Sequence, residues 1–307
     1  MSESSTSAAA AAPPARRAAS ALPRPRHSPA FLAWRRFAAN RAALGAGIVL
    51  VIIVLMAIFA PLVTPSGPND QAYLKNALAF PSRAHWFGVD DLGRDLFTRI
   101  VYGARISLGI GLSAAVFSLL LGLPLGALAG YLGGRFDWAI MRVIELFSVV
   151  PPLLAALLLA TLTRGGIWAI VLIAGLFGWV NVCLLVRAQV KSFREKEFIM
   201  AAKALGASPW HIVWRHLIPN SVSPVIVGFV LAIPLAMMLE ASLSFLGIGV
   251  QPPTPSWGQM INVGMKFMYF YWHMAVFPTA ALALTILSAS LLGDGLRDAL
   301  DPTLKGR

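Results

Sequence analysis

Cysteine is almost absent from this chain, and charged residues are scarce. The 307 residues include one cysteine, Cys183, so no disulfide can form within the chain and no cysteine-based metal cluster is available. Only 12% of the residues are charged whereas 58% are hydrophobic, and the mean hydropathy is +0.73. This composition excludes an ordinary soluble domain and is typical of a membrane protein.

Motifs for nucleotide binding and nucleophilic catalysis are also missing. No glycine-rich run ends in the Lys-Ser/Thr pair that cradles phosphates, and the run at residues 122–126 lacks the lysine. None of the five histidines lies deep in an apolar window, and there is no Gly-x-Ser-x-Gly elbow. These absences argue against an intramembrane enzyme, which needs a nucleophile and a base at membrane depth. We therefore expect no catalytic residues, no bound metal and no cofactor.

Uncharged windows dominate what is present. Six of them lack Asp, Glu, Lys, Arg and His, and each is near or above the ~20 residues that a helix needs to cross a bilayer. They are residues 42–63, 106–134, 146–163, 165–186, 217–239 and 274–293. Lipid leaves no partner for an open backbone, so the sequence predicts an all-α integral membrane protein with six transmembrane helices. A seventh window, 241–265, contains three prolines and is predicted to be a loop.

Lysine and arginine are distributed unevenly between the predicted loops. With both termini inside, the inner segments carry 18 of the 25 basic residues and the outer segments carry seven. This asymmetry predicts that both termini are cytoplasmic. It also explains the net charge of +12 as a topology signal, because the basic residues are dispersed and lack the interleaved aromatics of a nucleic-acid surface.

Four regions follow from these windows. Residues 1–35 are rich in Ala, Pro and Arg and are expected to form a disordered basic tail, although a transit peptide has a similar composition. Residues 36–105 are expected to hold the first transmembrane helix and an extracytoplasmic loop. Residues 106–293 should form a five-helix core that contains a charged loop at 187–220, and residues 294–307 a cytoplasmic tail.

The 187–220 loop has the most informative local pattern. Residues 201–205 are strong helix formers, and Gly206 is placed to end that helix. Ser208 and Pro209 suit the N-cap and first position of a second short helix, and Pro219 is predicted to fix the elbow into the fifth window. This arrangement indicates a compact lever, and a solvated loop without a partner is the alternative. Trp210, Ile212 and Val213 are expected to give the second helix an apolar face.

This loop resembles the EAA loop of ABC-type importer permeases, the segment that docks onto a separate ATPase subunit. The family spacing is matched at four positions, whereas Met200 stands where the family has Glu and Ile218 where it has Leu. The coupling residues that the resemblance implies are Glu197, Met200, Ala201, Ala202, Gly206, Ala207, Ile218 and Pro219. It further implies that the short inner loop at 133–138 can make a second contact with the ATPases, with an ordinary basic cap as the alternative.

Three other runs narrow the resemblance. Residues 85–108, 240–253 and 293–302 look like the second permease of the dipeptide/oligopeptide/nickel importer subfamily. That subfamily has a type I ABC importer permease fold in the bacterial inner membrane. Its implied partners are a second homologous permease, two cytoplasmic ATPase subunits that use the ATP, an extracytoplasmic substrate-binding protein and membrane lipid. Dipeptides or oligopeptides are the expected substrates, nickel complexes are the alternative, and the binding protein would largely decide between them.

Two acids near membrane depth are candidates for the pathway or for the structure. Glu145 opens the third window and could equally pair with Arg142, while Glu240 ends the fifth and could equally cap or pack a helix. An ion-coupled secondary transporter would need such groups and often shows inverted repeats. Only these two acids qualify and no repeat is evident, so that class is the weaker alternative.

Small residues line the second window. They allow close approach of helices, which suits a permease that packs against a similar partner. They are Ser107, Gly109, Gly111, Ser113, Ser118, Gly122, Gly126 and Gly130.

Overall fold

Helices account for nearly all regular structure in the computed structural model, which describes residues 29–163 and 166–300. The α-helices are α1 (Pro29–Ala39), α2 (Arg41–Ile58), α3 (Ala60–Val63), α4 (Leu96–Leu132), α5 (Gly134–Val149), α6 (Pro152–Leu162), α7 (Ile167–Phe193), α8 (Glu197–Ala204), α9 (Pro209–Ile212), α10 (Ile218–Asn220), α11 (Val222–Phe245), α12 (Trp257–Phe267) and α13 (His273–Leu300). A 3-10 turn covers Leu74–Asn76, a π-helical turn covers Val213–Leu217, and one isolated β-bridge joins Val89 to Asp95.

Five of these helices, α2, α4, α7, α11 and α13, are long and apolar enough to cross a membrane. The pair α5 and α6 makes a sixth crossing if it is counted as one span, but it bends by 85° at the break between them. The prediction of an all-α, multi-pass protein is confirmed, whereas a straight third helix over 146–163 is wrong. Pro151 and Pro152 cause the bend, because proline cannot continue the hydrogen-bond ladder and disfavours helical geometry in the residue before it.

Several helices also extend beyond the uncharged windows that predicted them. Helix α4 begins at Leu96, ten residues inside the predicted outer loop, because the Asp95 carboxylate accepts a hydrogen bond from the backbone N–H of Thr98 at 2.8 Å. Helix α13 continues to Leu300, past the start of the predicted tail at 294. The window 241–265 is a loop only in its middle. It begins with the end of α11, and α12 follows the Ser256 N-cap, whose Oγ accepts from Gln259 N–H at 3.2 Å.

The prediction of disorder over 1–35 is wrong for residues 29–35, which are helical. Helix α1 covers Pro29–Ala39 and packs against α13, with Trp34 and Phe37 stacked at a centroid distance of 6.0 Å. Residues 1–28 and 301–307 lie outside the described residues.

The most extensive helix contact among the described residues joins α4 to α7, and three glycines spaced four apart lie in it. An added Cβ would lie 2.7 Å from the Trp179 carbonyl at Gly122, 2.5 Å from the Cys183 carbonyl at Gly126 and 2.7 Å from the Arg187 carbonyl at Gly130. Along this contact the residue numbers of α4 and of α7 increase in the same direction, so the two helices run parallel. The expectation that this small-residue stripe meets a partner permease is therefore wrong for these glycines, which serve packing within the chain.

Candidate functional site

The 197–220 segment begins with α8 and a glycine turn. Gly206 has φ +79°, in the left-handed region that favours glycine. Its N–H donates to the Lys203 carbonyl at 3.0 Å, and the Ala207 N–H donates to the Ala202 carbonyl at 3.1 Å. These two bonds form a Schellman motif, so the turn that reverses the chain after α8 depends on the backbone conformation of Gly206.

The second short helix starts at the predicted residue. Ser208 accepts a hydrogen bond on Oγ from the His211 N–H at 3.3 Å, and Pro209 occupies the first turn. Pro219 lies in α10, which follows α9 and the π-helical turn without a break, and Ser221 alone separates α10 from α11. A π-helical turn is a common way to accommodate a disrupted hydrogen-bond ladder, and here it directly precedes the proline.

Three side chains of this segment are buried in the bundle. Ile199, Ile212 and Leu217 have no exposed surface, and they pack in one cluster with Val186 of α7 and Tyr131 of α4. Burying an aliphatic side chain of this size contributes about 1.5–3 kcal/mol. The segment is therefore fixed to the ends of α4 and α7 rather than free to move alone.

The opposite side of the segment exposes large apolar side chains. Leu205 is 88% exposed, Trp210 60% and Met200 54%, and Trp214 lies beside Trp210 with ring centroids 5.3 Å apart. The prediction that Trp210 and Ile212 share one face is wrong, since Trp210 points outward. Contiguous exposed apolar surface of this kind marks an interaction site.

The eight coupling residues predicted from the sequence divide between these two sides. Five are exposed, namely Glu197, Met200, Ala201, Gly206 and Pro219, and three are half-buried against the inner cluster, namely Ala202, Ala207 and Ile218. The structure thus brings all eight into one short segment that joins a buried anchor to an open surface.

An ion pair that the sequence reasoning missed ties α7 to the start of α5. Arg187 donates from Nη2 to the Asp137 carboxylate at 2.7 Å and makes a second bond from Nε to the same carboxylate. Beyond it, the Lys203 ammonium lies 5.1 Å from the centroid of the Tyr131 ring. One signal was visible, because Asp137 is the only acid between Asp95 and Glu145.

Glu240 lies in a buried hydrogen-bond network. It is fully buried and accepts hydrogen bonds from Ser107 Oγ at 3.2 Å and Ser244 Oγ at 2.7 Å. The Ser107 Oγ also accepts from the Trp257 N–H at 3.3 Å, so this hydrogen-bond network connects α4, α11 and α12. A buried acid needs such donors, and this geometry is that of a packing element rather than a group facing an open path.

Glu145 has a different environment. Its carboxylate pairs with Arg142 at 2.5 Å, and both side chains are about half exposed, at 49% and 56%. The geometry agrees with the ion-pair alternative. Exposed pairs of this kind contribute little to stability.

Buried charged residues form a cluster in the loop before α4 and in the first turn of α4. Asp90 accepts from Arg94 Nε at 2.6 Å and lies 3.5 Å from Arg99 Nε, while His85 Nδ1 lies 3.3 Å from Asp95. Arg99 also donates to the Pro68 carbonyl at 2.9 Å. These contacts fix the loop on the first turns of α4.

One carboxyl group of this loop, that of Asp91, has a shifted pKa. Burial and the neighbouring charge of Asp90 raise the pKa of Asp91 above its ordinary value. Arg99 Nη2 reaches Gln259 Oε1 of α12 at 3.5 Å. Among residues 29–163 and 166–300, no group of three or more His, Cys, Asp or Glu could hold a metal ion.

The described residues form a multi-pass helical bundle in which one segment is anchored by buried side chains and exposes apolar ones, an arrangement that suits a membrane transport permease. Comparison with known families agrees. Residues 122–306 match the family described as binding-protein-dependent transport system inner membrane component, and residues 28–81 match the N-terminal transmembrane domain of oligopeptide transport permease C. The chain belongs to the family of binding-protein-dependent transport system inner membrane components.

Curated relatives cover most of the chain. It is 40% identical over 290 residues to the dipeptide transport system permease protein DppC of Bacillus subtilis (strain 168), a match that covers 94% of this chain and 90% of the relative. It is 40% identical over 270 residues to the oligopeptide transport system permease protein OppC of the same strain, with 88% of each chain covered. It is also 40% identical over 273 residues to the glutathione transport system permease protein GsiD of Escherichia coli O157:H7, with 89% and 90% covered.

Proposed function

We propose that this chain forms part of the translocation pathway of an ATP-driven importer of dipeptides or oligopeptides. The proposal includes a second homologous permease, two cytoplasmic ATPase subunits that hydrolyse the ATP, and an extracytoplasmic binding protein that delivers substrate. This chain then binds no cofactor or metal and performs no covalent catalysis. Peptide transport is favoured over nickel transport because the relatives named above are two peptide permeases and a permease for glutathione, itself a small peptide.

The 197–220 segment carries the proposal. It buries Ile199, Ile212 and Leu217 in the bundle while it exposes Leu205 and Trp210 at its surface. A partner that hydrolyses ATP could grip that surface, and the buried anchors would pass its motion to α4 and α7. Alternating access of the permease pair would follow from this movement.

A groove of about 710 Å³ supports the proposal of a second permease. It lies between α6, α11 and α13, and Met238, Phe245 and Leu287 line it while each remains 42–56% exposed. In lipid, helices associate by close packing rather than by a hydrophobic drive. A matching helix of a homologous permease would fill this groove.

Co-purification and uptake test the assignment. The chain, expressed with the ATPases, second permease and binding protein encoded beside it, should pull down both ATPases and support ATP-dependent uptake of a labelled dipeptide into vesicles. Uptake driven by an ion gradient in the absence of ATPases would instead identify a secondary transporter. ATP-dependent uptake of a nickel complex but not of peptides would agree with the importer assignment and would contradict the assignment of peptides as the substrate.

Orientation gives a separate prediction. The excess of Lys and Arg in the segments at 1–41, 135–145, 187–216 and 294–307 predicts that both termini are cytoplasmic. Alkaline phosphatase fused after Arg307 should be inactive, and a fluorescent protein at the same position should fluoresce. Active phosphatase there would reverse the topology and put the 197–220 segment on the side without ATP.

A further inference from the structure

We propose that the Asp137–Arg187 ion pair is a positioning contact through which movement of the 197–220 segment reaches α5 and the bend that follows it. This role depends on the proposed function, because it concerns how engagement of the ATPases would be passed to the pathway. Arg187 donates from Nη2 to the Asp137 carboxylate at 2.7 Å and makes a second bond from Nε. This bidentate, charge-assisted geometry is the strong form of an arginine–carboxylate contact, and the two side chains are only 22% and 19% exposed.

On the α7 side, the pair lies next to the anchor of the 197–220 segment. Arg187 directly follows Val186, which has no exposed surface. Val186 packs in one cluster with Ile199 and Ile212 of the segment. Because Val186 and Arg187 are neighbours on one continuous helix, any displacement that the segment imposes on this end of α7 also displaces the Arg187 guanidinium.

On the other side of the pair, α5 lies between two breaks in the chain. It begins after a turn at Gly133 and Gly134, which have φ +65° and +54°, and it ends at the 85° bend before α6. Within α5, only Ile144 is buried, and it packs against α7. Asp137 lies seven residues earlier, roughly 10 Å along the helix. The ion pair therefore holds the end of α5 that this apolar contact does not reach.

The same helix carries a second ion pair that makes no connection to α7. Arg142 and Glu145 both belong to α5, and their side chains are 56% and 49% exposed. The two pairs consist of the same chemical groups and differ in whether they join two helices. Substitution of Arg142 is therefore the matched control for substitution of Asp137 or Arg187.

The coupling of ATP hydrolysis to uptake tests this role. The chain would be reconstituted in vesicles with its second permease, the ATPases and the binding protein. Three quantities would be measured: pull-down of the ATPases, ATP hydrolysis stimulated by the binding protein, and uptake of a labelled dipeptide. The deciding readout is the amount of peptide transported per ATP hydrolysed. A purely structural defect lowers the amount of active complex and leaves that ratio unchanged.

Asp137→Asn and Arg187→Gln should each bind the ATPases as the unaltered chain does, and each should lower the peptide transported per ATP by about fivefold or more. The double variant should be no worse than either single variant, because all three lack the same contact. Arg187→Lys keeps the charge but loses the bidentate fork, so its ratio should fall between. Arg142→Gln should keep the ratio of the unaltered chain.

An unchanged ratio in Asp137→Asn would overturn this role, and so would losses that multiply in the double variant. A loss of ATPase binding in step with uptake would also overturn it, since the pair would then serve docking. If Asp137→Asn does not insert, Arg187→Lys decides, and an unchanged ratio there has the same meaning. Absence of ATP-dependent uptake in the unaltered complex would instead contradict the proposed function itself.

Discussion

Valine at position 206 is expected to abolish transport while the chain still inserts in the membrane. Gly206 has φ +79°, which costs a β-branched residue roughly 1–3 kcal/mol. Unwinding the turn between α8 and α9 would relieve that strain, and it would displace the exposed Leu205 and Trp210. Each 1.4 kcal/mol corresponds to a factor of ten in affinity, so pull-down of the ATPases by Gly206→Val should weaken by about tenfold or more. Uptake into reconstituted vesicles should be lost.

Asparagine at the same position is the matched control. It enters the left-handed region more readily than valine, and no atom of the chain lies within 4 Å of an added Cβ at Gly206. Gly206→Asn should therefore retain most of the ATPase binding. Lys203→Gln should be mild, and Met200→Glu, which restores the acid of the family pattern, should be tolerated. Wild-type binding and transport in Gly206→Val would show that this turn does not transmit motion.

Valine at position 126 is expected to prevent the chain from folding. A Cβ at Gly126 would lie 2.5 Å from the Cys183 carbonyl and 3.1 Å from the Cys183 Cα, so backbone rather than a movable side chain blocks it. Helices α4 and α7 would have to separate along their whole contact. Overpacking in a close-packed core costs about 1–3 kcal/mol, and more where backbone must shift. Size-exclusion chromatography of a fluorescent fusion in detergent should show most of Gly126→Val as aggregate.

Gly109→Val controls for the substitution itself. Gly109 is in the same helix, and no atom lies within 4 Å of an added Cβ there. This variant should elute as the wild type does and melt at a similar temperature. If the two variants behave alike, the glycine contact between α4 and α7 does not hold the bundle together.

Local chemistry made much of the fold predictable. Uncharged windows located the spans, and the Gly206 and Ser208 signals located the turn between α8 and α9 because both act within a few residues. The bend between α5 and α6 was missed because absence of charge reports burial in lipid and not straightness, although Pro151 and Pro152 were visible. Helix α12 was missed because the prolines before it suggested loop throughout.

The contacts that assemble the site could not be predicted in the same way. Ser107 and Glu240 are 133 residues apart, and Asp137 and Arg187 are 50 apart. No periodicity or motif spacing pairs residues over such distances, since their meeting depends on how whole helices pack. The outward direction of Trp210 has a local reason, because Trp210 and Ile212 are two residues apart in α9 and therefore lie about 200° apart around the helix.

Helix α4 connects the two ends of the molecule, so binding events at one end can be coupled thermodynamically to binding events at the other. Its 37 residues extend about 55 Å, against roughly 30 Å of hydrocarbon, and it runs from the Asp95 cap in the charged loop to Tyr131 beneath Lys203. If a tilt of α4 changes the affinity for a partner at each end, thermodynamic linkage makes the effect of either partner on the other equal. For the proposed importer, this means that if ATPase binding changes the affinity for the binding protein by some factor, the binding protein changes the affinity for the ATPases by the same factor.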